Sequence, residues 1–213
     1  MDFNDLLQLV GGDPIFESSL LLSGRINPKS VRLQLTRWVK SGRILQLRRG
    51  LYAIAPPYQK AQPHPFLVAN HLQRASYVSL QSALSYYGLI PEVVHRTMSI
   101  STGRPEQLET PLGGFVFRHI KTAYFFGYQM ADLGGGSSAQ VATPEKALLD
   151  LIYLQPGADS VEFIFELRLQ NLERLDLAKL KTFSERFYTP RMSRASDRII
   201  HLAAGNFGYY KEP

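Results

Sequence analysis

A proline-rich segment, APPYQKAQPHP, divides this chain of 213 residues into two unequal parts. It runs from Ala55 to Pro65 with four prolines in eleven residues, and it shows little apolar periodicity. Proline fixes φ and removes a backbone donor, so this composition favours a linker over a helix or a central strand. The sequence therefore predicts a first unit over 1–55, a linker over 56–65 and a larger unit over 66–213.

The first unit begins with two segments that have helical signals. Residues Phe3–Val10 place apolar side chains at i, i+3, i+4 and i+7, which is typical of a helix with one buried face. Asp13-Pro14 then supplies a capping residue followed by proline, a common helix start. We therefore expect a short second helix over Ile15–Leu22, with Ser23-Gly24 ending it.

A third helix is predicted over Lys29–Ser41, because Asn27-Pro28 repeats the capping signal and Gly42 supplies a left-handed exit. Its two sides differ in chemistry. One side is apolar and is expected to pack on the first two helices: Val31, Leu35, Trp38 and Val39. The opposite side is mainly polar and cationic: Lys29, Ser30, Arg32, Leu33, Thr36, Arg37 and Lys40.

Two short apolar runs, RILQL and LYAIA, follow this helix and are joined by Arg48-Arg49-Gly50. They predict the two strands of a hairpin, since glycine allows the positive φ that a tight turn requires. Three helices followed by a two-stranded hairpin form a winged helix-turn-helix. The predicted fold class is thus α+β, with an N-terminal winged helix-turn-helix and a larger mixed unit whose C-terminal part is helical.

Positive charge is concentrated in the same region. Residues 18–91 hold ten Lys/Arg and no Asp/Glu. Residues 1–91 hold ten basic and four acidic residues, a net +6, whereas residues 92–213 hold fourteen of each, a net zero. A concentrated positive field attracts polyanions such as nucleic acid or an anionic membrane. A solvated basic surface or a basic protein-docking module would also account for the charge.

Among these partners, the chemistry of the third helix favours double-stranded DNA. A helix in the major groove buries one apolar side and offers donors on the other, and arginine can pair two donors with guanine. Arginines at the hairpin tip would grip the flanking phosphates. The predicted DNA contacts are Lys29, Ser30, Arg32, Leu33, Thr36, Arg37 and Lys40 on the helix, and Arg48 and Arg49 at the tip.

The larger unit mixes strands and helices, with most strands first. Helices are expected over 66–74, at SLQSALSYYG with Ser79 as its N-cap, and at TPEKALLDLIYL. Three segments rich in aromatic and β-branched residues predict strands: HRTMSIS, FVFRHI and YFFGYQM. After Gly157, helical periodicity continues over Ser160–Leu172, Leu177–Phe187 and Pro190–Ala204.

No catalytic or metal-binding pattern stands out, so we expect neither an enzyme nor a cofactor. The five histidines lack the spacing of a metal site, and the chain has no cysteine. The glycine-rich run 133–139 lacks the lysine of a phosphate-binding loop and predicts a flexible loop. Glu145, Lys146 and Asp150 are interpreted as helix-start and surface charges, and the aromatic residues of 124–128 as core.

The order of three motifs resembles a known family. A short basic winged helix ending in RRGLYAI, then YVSLQSALSYYGLIPE and then TPEKALLDLIYL resemble the AbiEi-type antitoxins, which are transcriptional regulators of type IV toxin–antitoxin systems linked to abortive infection. The resemblance spans roughly residues 3–155. It implies a winged helix that binds inverted repeats in its own promoter, and a second domain that antagonises a nucleotidyltransferase-like toxin.

Two other interpretations stay open. One is a plain regulator with a ligand-sensing or dimerising second unit; the other is an enzyme that acts on nucleic acid and uses the winged helix for targeting. The start MDFNDLLQLVGGDP lacks a basic signal-peptide region, and no apolar run approaches the roughly 20 residues of a membrane span. We therefore expect a cytoplasmic protein without a membrane partner. The operator sequence and the oligomeric state are not predicted.

Overall fold

The computed structural model describes residues 2–22 and 27–205. The predicted helix stop at Ser23-Gly24 and the basic residue Arg25 lie outside these described residues. Eight α-helices and two β-sheets form in the described part, which confirms the α+β class. The helices are α1 (Phe3–Val10), α2 (Pro28–Lys40), α3 (Pro65–Leu72), α4 (Leu80–Tyr86), α5 (Pro144–Leu154), α6 (Val161–Glu166), α7 (Leu177–Glu185) and α8 (Pro190–Ala203).

The strands divide into a small sheet in the first unit and a larger one in the second. The small sheet has the order β1-β3-β2 and the larger sheet the order β6-β7-β5-β4-β9-β8. The strands of the small sheet are β1 (Ile15–Glu17), β2 (Ile44–Arg48) and β3 (Leu51–Ile54). Those of the larger sheet are β4 (Ser76–Val78), β5 (Arg96–Ser101), β6 (Glu106–Thr110), β7 (Gly113–His119), β8 (Tyr128–Asp132) and β9 (Ser138–Ala142).

The segment predicted as the second helix is a strand followed by a 3₁₀ helix, Ser18–Leu22. Strand β1 pairs antiparallel with β3, so that Phe16 lies opposite Tyr52. The two rings stack with their centroids 5.7 Å apart. The prediction of a continuous helix is wrong because pairing with a distant strand outweighs the local capping signal of Asp13-Pro14.

The small sheet lies between two apolar cores. On one face Phe16, Ile44 and Ile54 join the buried side chains of α1 and α2. On the other face, four residues of the sheet belong to the same core as α3: Ile15, Leu47, Leu51 and Ala53. The first unit therefore shares part of its core with the second.

The larger sheet contains both parallel and antiparallel strand pairs. Strand β4 pairs antiparallel with β5 and parallel with β9, while β5 pairs parallel with β7. HRTMSIS and FVFRHI are confirmed as β5 and β7. YFFGYQM becomes a strand only from Tyr128 onward, because the residues before it form a 3₁₀ helix, Thr122–Tyr124.

The C-terminal layer follows the predicted helices except in one segment. α7 and α8 lie where expected, but α6 is much shorter than the predicted Ser160–Leu172. Arg168 and Asn171 have positive φ values of 45° and 51°, which interrupt a right-handed helix, and the chain continues as a 3₁₀ helix, Leu172–Arg174. No helix in the described ranges has the length and apolarity that crossing a membrane requires.

Candidate nucleic-acid interface

Helix α2 begins and ends within one residue of its predicted bounds. The Asn27 side chain accepts a hydrogen bond from the backbone N–H of Lys29 at 2.9 Å, and Pro28 occupies the first helical position. These residues fix the start, because the capping oxygen satisfies an open amide and proline has no amide to satisfy. At the other end Gly42 has a φ of 69°, the left-handed conformation expected at a helix exit.

The apolar side of α2 is buried, as predicted. Val31, Leu35 and Trp38 are each at most 5 % exposed, and Val39 is half-buried. The Trp38 ring meets the ring of Phe3 on α1 edge-on, with centroids 5.5 Å apart. These contacts fix the rotation of α2 about its axis and so decide which side chains face outward.

The opposite side of α2 is solvent-exposed and cationic. Its four cations have no carboxylate within ion-pair distance among the residues that the structure describes. Leu33 is 52 % exposed. The Thr36 hydroxyl donates a hydrogen bond to the backbone oxygen of Arg32 at 2.9 Å. All seven helix residues predicted as DNA contacts lie on this surface: Lys29, Ser30, Arg32, Leu33, Thr36, Arg37 and Lys40.

The two arginines predicted at the hairpin tip are both exposed but have different surroundings, and Arg49 lies at the turn itself. Next to it, Gly50 has a φ of 84°, which makes the tight turn between β2 and β3. The backbone oxygen of Gly50 accepts a hydrogen bond from the N–H of Ser18 at 2.8 Å. The tip therefore packs against the 3₁₀ helix that precedes α2.

Arg48 reaches from the tip toward the second unit. Its Nη1 donates to the backbone oxygen of Leu72 at 2.7 Å and lies 3.8 Å from a carboxylate oxygen of Glu106. The side chain keeps 44 % of its surface exposed. Its charge is thus partly compensated within the protein, unlike the cations of α2 in the described part.

The charged residues of TPEKALLD are buried, so their interpretation as surface charges is wrong. Lys146 and Asp150 are both 0 % exposed and form an ion pair one turn apart on α5. Glu145 is 2 % exposed; it accepts a hydrogen bond from the backbone N–H of Asp176 at 3.0 Å and lies 3.2 Å from Nζ of Lys179. The charges are buried because α4, α7, α8 and β9 all pack on α5.

Two hydroxyl groups form hydrogen bonds with the buried ion pair of Lys146 and Asp150. Tyr77 and Ser79 donate to Oδ2 of Asp150 at 3.0 and 2.8 Å, and Nζ of Lys146 donates to the Tyr77 oxygen at 2.9 Å. Burial raises the pKa of Asp150 and lowers the pKa of Lys146, and the charge of each group opposes the shift of the other. Nζ of Lys146 also lies 5.0 Å from the ring centre of Phe126. This enclosed cluster holds α5 against the sheet, because Tyr77 and Ser79 belong to β4 and to the residue that follows it.

Other predicted features fall outside any candidate site. Four aromatic residues are half-buried and pack on the larger core, as expected: Tyr124, Phe125, Phe126 and Tyr128. The glycine-rich run forms the turn between β8 and β9, with positive φ at residues 134–136. Within the described ranges, no three side chains of His, Asp or Glu gather in a way that could hold a metal ion.

Comparison with known proteins supports the fold. No family model matches the chain, and no curated protein does. One solved structure that is similar to it is the crystal structure of the RV2827C protein from Mycobacterium tuberculosis, over 94 % of this chain and 80 % of that chain, with 16 % identity and a TM-score of 0.50. At this identity the likeness shows a shared α+β fold and says nothing of what the chain binds.

Proposed function

We propose that this chain binds double-stranded DNA through α2 and acts as a transcriptional repressor and antitoxin. The observation that carries the DNA-binding part is the exposed side of α2, whose four cations have no acidic partner in the described ranges. A duplex carries one phosphate charge per about 1.7 Å of its axis, so a cationic helix gains affinity by releasing counterions.

The order of elements in the first unit is consistent with a winged helix-turn-helix. α1, β1, the 3₁₀ helix, α2 and the β2–β3 hairpin follow one another, and β1 pairs with the second strand of the hairpin. In this proposal α2 enters the major groove and the hairpin tip is a short wing. The 3₁₀ helix takes the place of the second helix of the motif.

The exposed side of α2 offers separate groups for bases and for phosphates. Arg32 and Arg37 are long enough and carry enough donors to pair with the acceptor edge of guanine. Leu33 offers an apolar contact to a thymine methyl group. Lys29 and Lys40 lie at the two ends of the helix, where a groove-bound helix passes the phosphate backbones.

Titration of the full chain against DNA tests this proposal. The duplexes are a fragment from upstream of its own gene and a scrambled duplex of equal length. Arg37→Ala should cost about 1–3 kcal/mol on the upstream fragment and less on the scrambled one. Arg194→Ala is the matched control, because Arg194 is exposed and pairs with Asp159 in the C-terminal helical layer.

The salt dependence of the same titration tests the electrostatic part. With five to eight phosphate contacts, the log–log slope of affinity against salt should be roughly −4 to −7. A complex that is insensitive to salt would contradict phosphate binding. Equal losses for Arg37→Ala on both duplexes would contradict base recognition by this side chain.

The antitoxin part of the proposal rests on the resemblance to the AbiEi-type antitoxins. Co-expression of the chain with a nucleotidyltransferase-like protein encoded beside it should rescue growth. With that protein expressed from an unrelated promoter, Arg37→Ala should bind its own promoter more weakly yet still rescue growth. Failure of the unchanged chain to rescue growth under that unrelated promoter would favour the plain regulator instead, whereas metal-dependent cleavage of DNA or RNA by the chain would favour the enzyme.

A further inference from the structure

An open hollow of about 360 Å³ lies where the hairpin tip meets the second unit. Its walls come from the end of β1 and the start of the 3₁₀ helix, from the hairpin tip, and from the end of α3. The 3₁₀ helix, whose first two residues line the hollow, also contacts the proposed DNA-binding helix α2. Three arginines line it: Arg48, Arg49 and Arg74.

The hollow carries more positive than negative charge. Glu17 is the acidic side chain of its lining, against the three arginines. His71 is also part of the lining, and burial lowers its pKa, so it is largely neutral near pH 7. Glu106, outside the lining, partly compensates Arg48. The remaining positive charge faces the hollow.

Arg74 belongs to the second unit but pairs across the boundary with Glu17 of β1. The Arg74 side chain is 78 % exposed and that of Glu17 34 %. An ion pair this exposed is weak, because water and salt screen it. A phosphate of a bound polyanion can therefore replace the carboxylate as the partner of the guanidinium group.

We propose that Arg49 and Arg74 clamp one phosphate of the DNA backbone, and that Glu17 competes with this phosphate for Arg74. The proposal rests on the DNA-binding function proposed above and extends that interface onto the second unit. Guanidinium groups suit this task, since their planar donors match two phosphate oxygens at once.

Arg48 is a positioning residue in this arrangement. Its hydrogen bond to the backbone oxygen of Leu72 ties the hairpin tip to the end of α3, two residues before Arg74. The same hydrogen bond keeps Arg49 and Arg74 in the lining of one hollow. The second unit thus decides where the tip of the first unit lies when DNA binds.

Binding of the full chain to its upstream duplex, measured by fluorescence anisotropy over a salt series, tests the clamp. Arg74→Ala should weaken binding about 3- to 10-fold near physiological salt and make the log–log salt slope less steep by about 1. Glu17→Gln should bind several-fold tighter, on the order of 2- to 5-fold, because the competing charge is gone. Arg194→Ala should bind as the unchanged chain does.

Arg74→Ala should weaken DNA binding and Glu17→Gln should strengthen it, although both variants break the same ion pair. This difference in direction separates the clamp from a structural role. If Glu17→Gln and Arg74→Ala weaken binding alike, the pair is only structural and the clamp is overturned. If both bind like the unchanged chain while Arg37→Ala weakens binding, the clamp is overturned and the DNA-binding function stands. If the unchanged chain binds no duplex, the proposed function fails and the clamp fails with it.

Discussion

Helices α2 and α5 begin with the same signals, but the charged side chains of α2 are exposed and those of α5 are buried. Each starts with a polar N-cap residue followed by proline, and each carries charged side chains in its first two turns. α2 keeps its cations in solvent, whereas α5 buries Lys146 and Asp150 completely. The difference comes from the neighbours: α2 packs through one side, while α5 is covered by helices and by the sheet.

The comparison shows that a capping signal reports where a helix starts but not where its charges lie. In α2 the Asn27 side chain caps the helix, yet Thr143 at the start of α5 is buried and makes no such bond. The local signal is the same, so the tertiary environment decides the outcome. A cation exposed without a partner is available to a ligand, whereas a buried ion pair is committed to the fold.

The largest expected loss of stability comes from a substitution on the buried side of α2. Trp38→Ala removes a ring that is 5 % exposed and packs on Phe3, and it should lower the free energy of unfolding by about 3–5 kcal/mol. Denaturant unfolding measures this loss. An unchanged free energy of unfolding combined with lost DNA binding would instead make Trp38 a contact residue.

The second largest loss of stability is expected when the buried ion pair of α5 is broken. Lys146→Met leaves Asp150 without its cation in a dry site and should destabilise the fold by about 3 kcal/mol. Arg37→Ala on α2 is the matched control and should stay within about 0.5 kcal/mol, since its side chain is exposed. Equal losses for the two variants would show that the contrast between the helices is not one of burial.

A third, smaller effect tests how tightly α5 is enclosed. A Cβ at Gly127 would lie 2.8 Å from the Phe183 ring and 3.1 Å from the Lys146 side chain, so Gly127→Ala should cost about 2 kcal/mol. Gly135→Ala is the control, because Gly135 also has a positive φ but meets no atom within 4 Å. Thermal melts of both variants measure the difference, and the packing explanation requires Gly127→Ala to melt lower.

The smallest effect concerns the exposed ion pair of Glu17. The hydrogen bond from Arg74 lowers the pKa of Glu17 below its ordinary value of 4.5, although partial burial opposes the shift. The resulting stability is present above that value and is lost as the pH falls through the lowered pKa. Because the pair is exposed, we expect well below about 1 kcal/mol.

Unfolding of the unchanged chain and of Glu17→Gln, from about pH 6 to about pH 3, measures this contribution. The two curves should approach each other toward the acidic end, as the carboxyl group becomes protonated. A difference between the chains that grows toward acidic pH would contradict the assigned direction of the pKa shift.

The sequence predicted the elements whose signals are local. α1, α2 and the hairpin follow from caps, apolar spacing and a glycine turn, and so does the exposed side of α2. Strand β1 was not predicted, because its three residues form a strand only by pairing with β3. The hydrogen bond between Arg48 and Leu72 could not be predicted for the same reason, since it joins residues on opposite sides of the proline-rich segment.

The burial of the α5 charges had a signal in the sequence. The run KALLDLIYL places apolar residues on every side of the helix, which is typical of a helix buried all round. A lysine and an aspartate four residues apart in such a helix can pair with each other. The two hydroxyl donors could not be predicted, because Tyr77 and Ser79 lie far from α5 in the chain.

The position of the small sheet between two cores has a consequence for synthesis of the chain. Proteins emerge from the ribosome N-terminus first, at about 5–20 residues per second. The residues that cover the second face of the sheet, such as Val68 and Leu72, emerge after the hairpin is complete, and Glu106 later still. A nascent chain that has released only its first unit therefore has an open apolar face and a hairpin tip without its anchor, so the proposed DNA-binding surface is complete only when much of the second unit has been made.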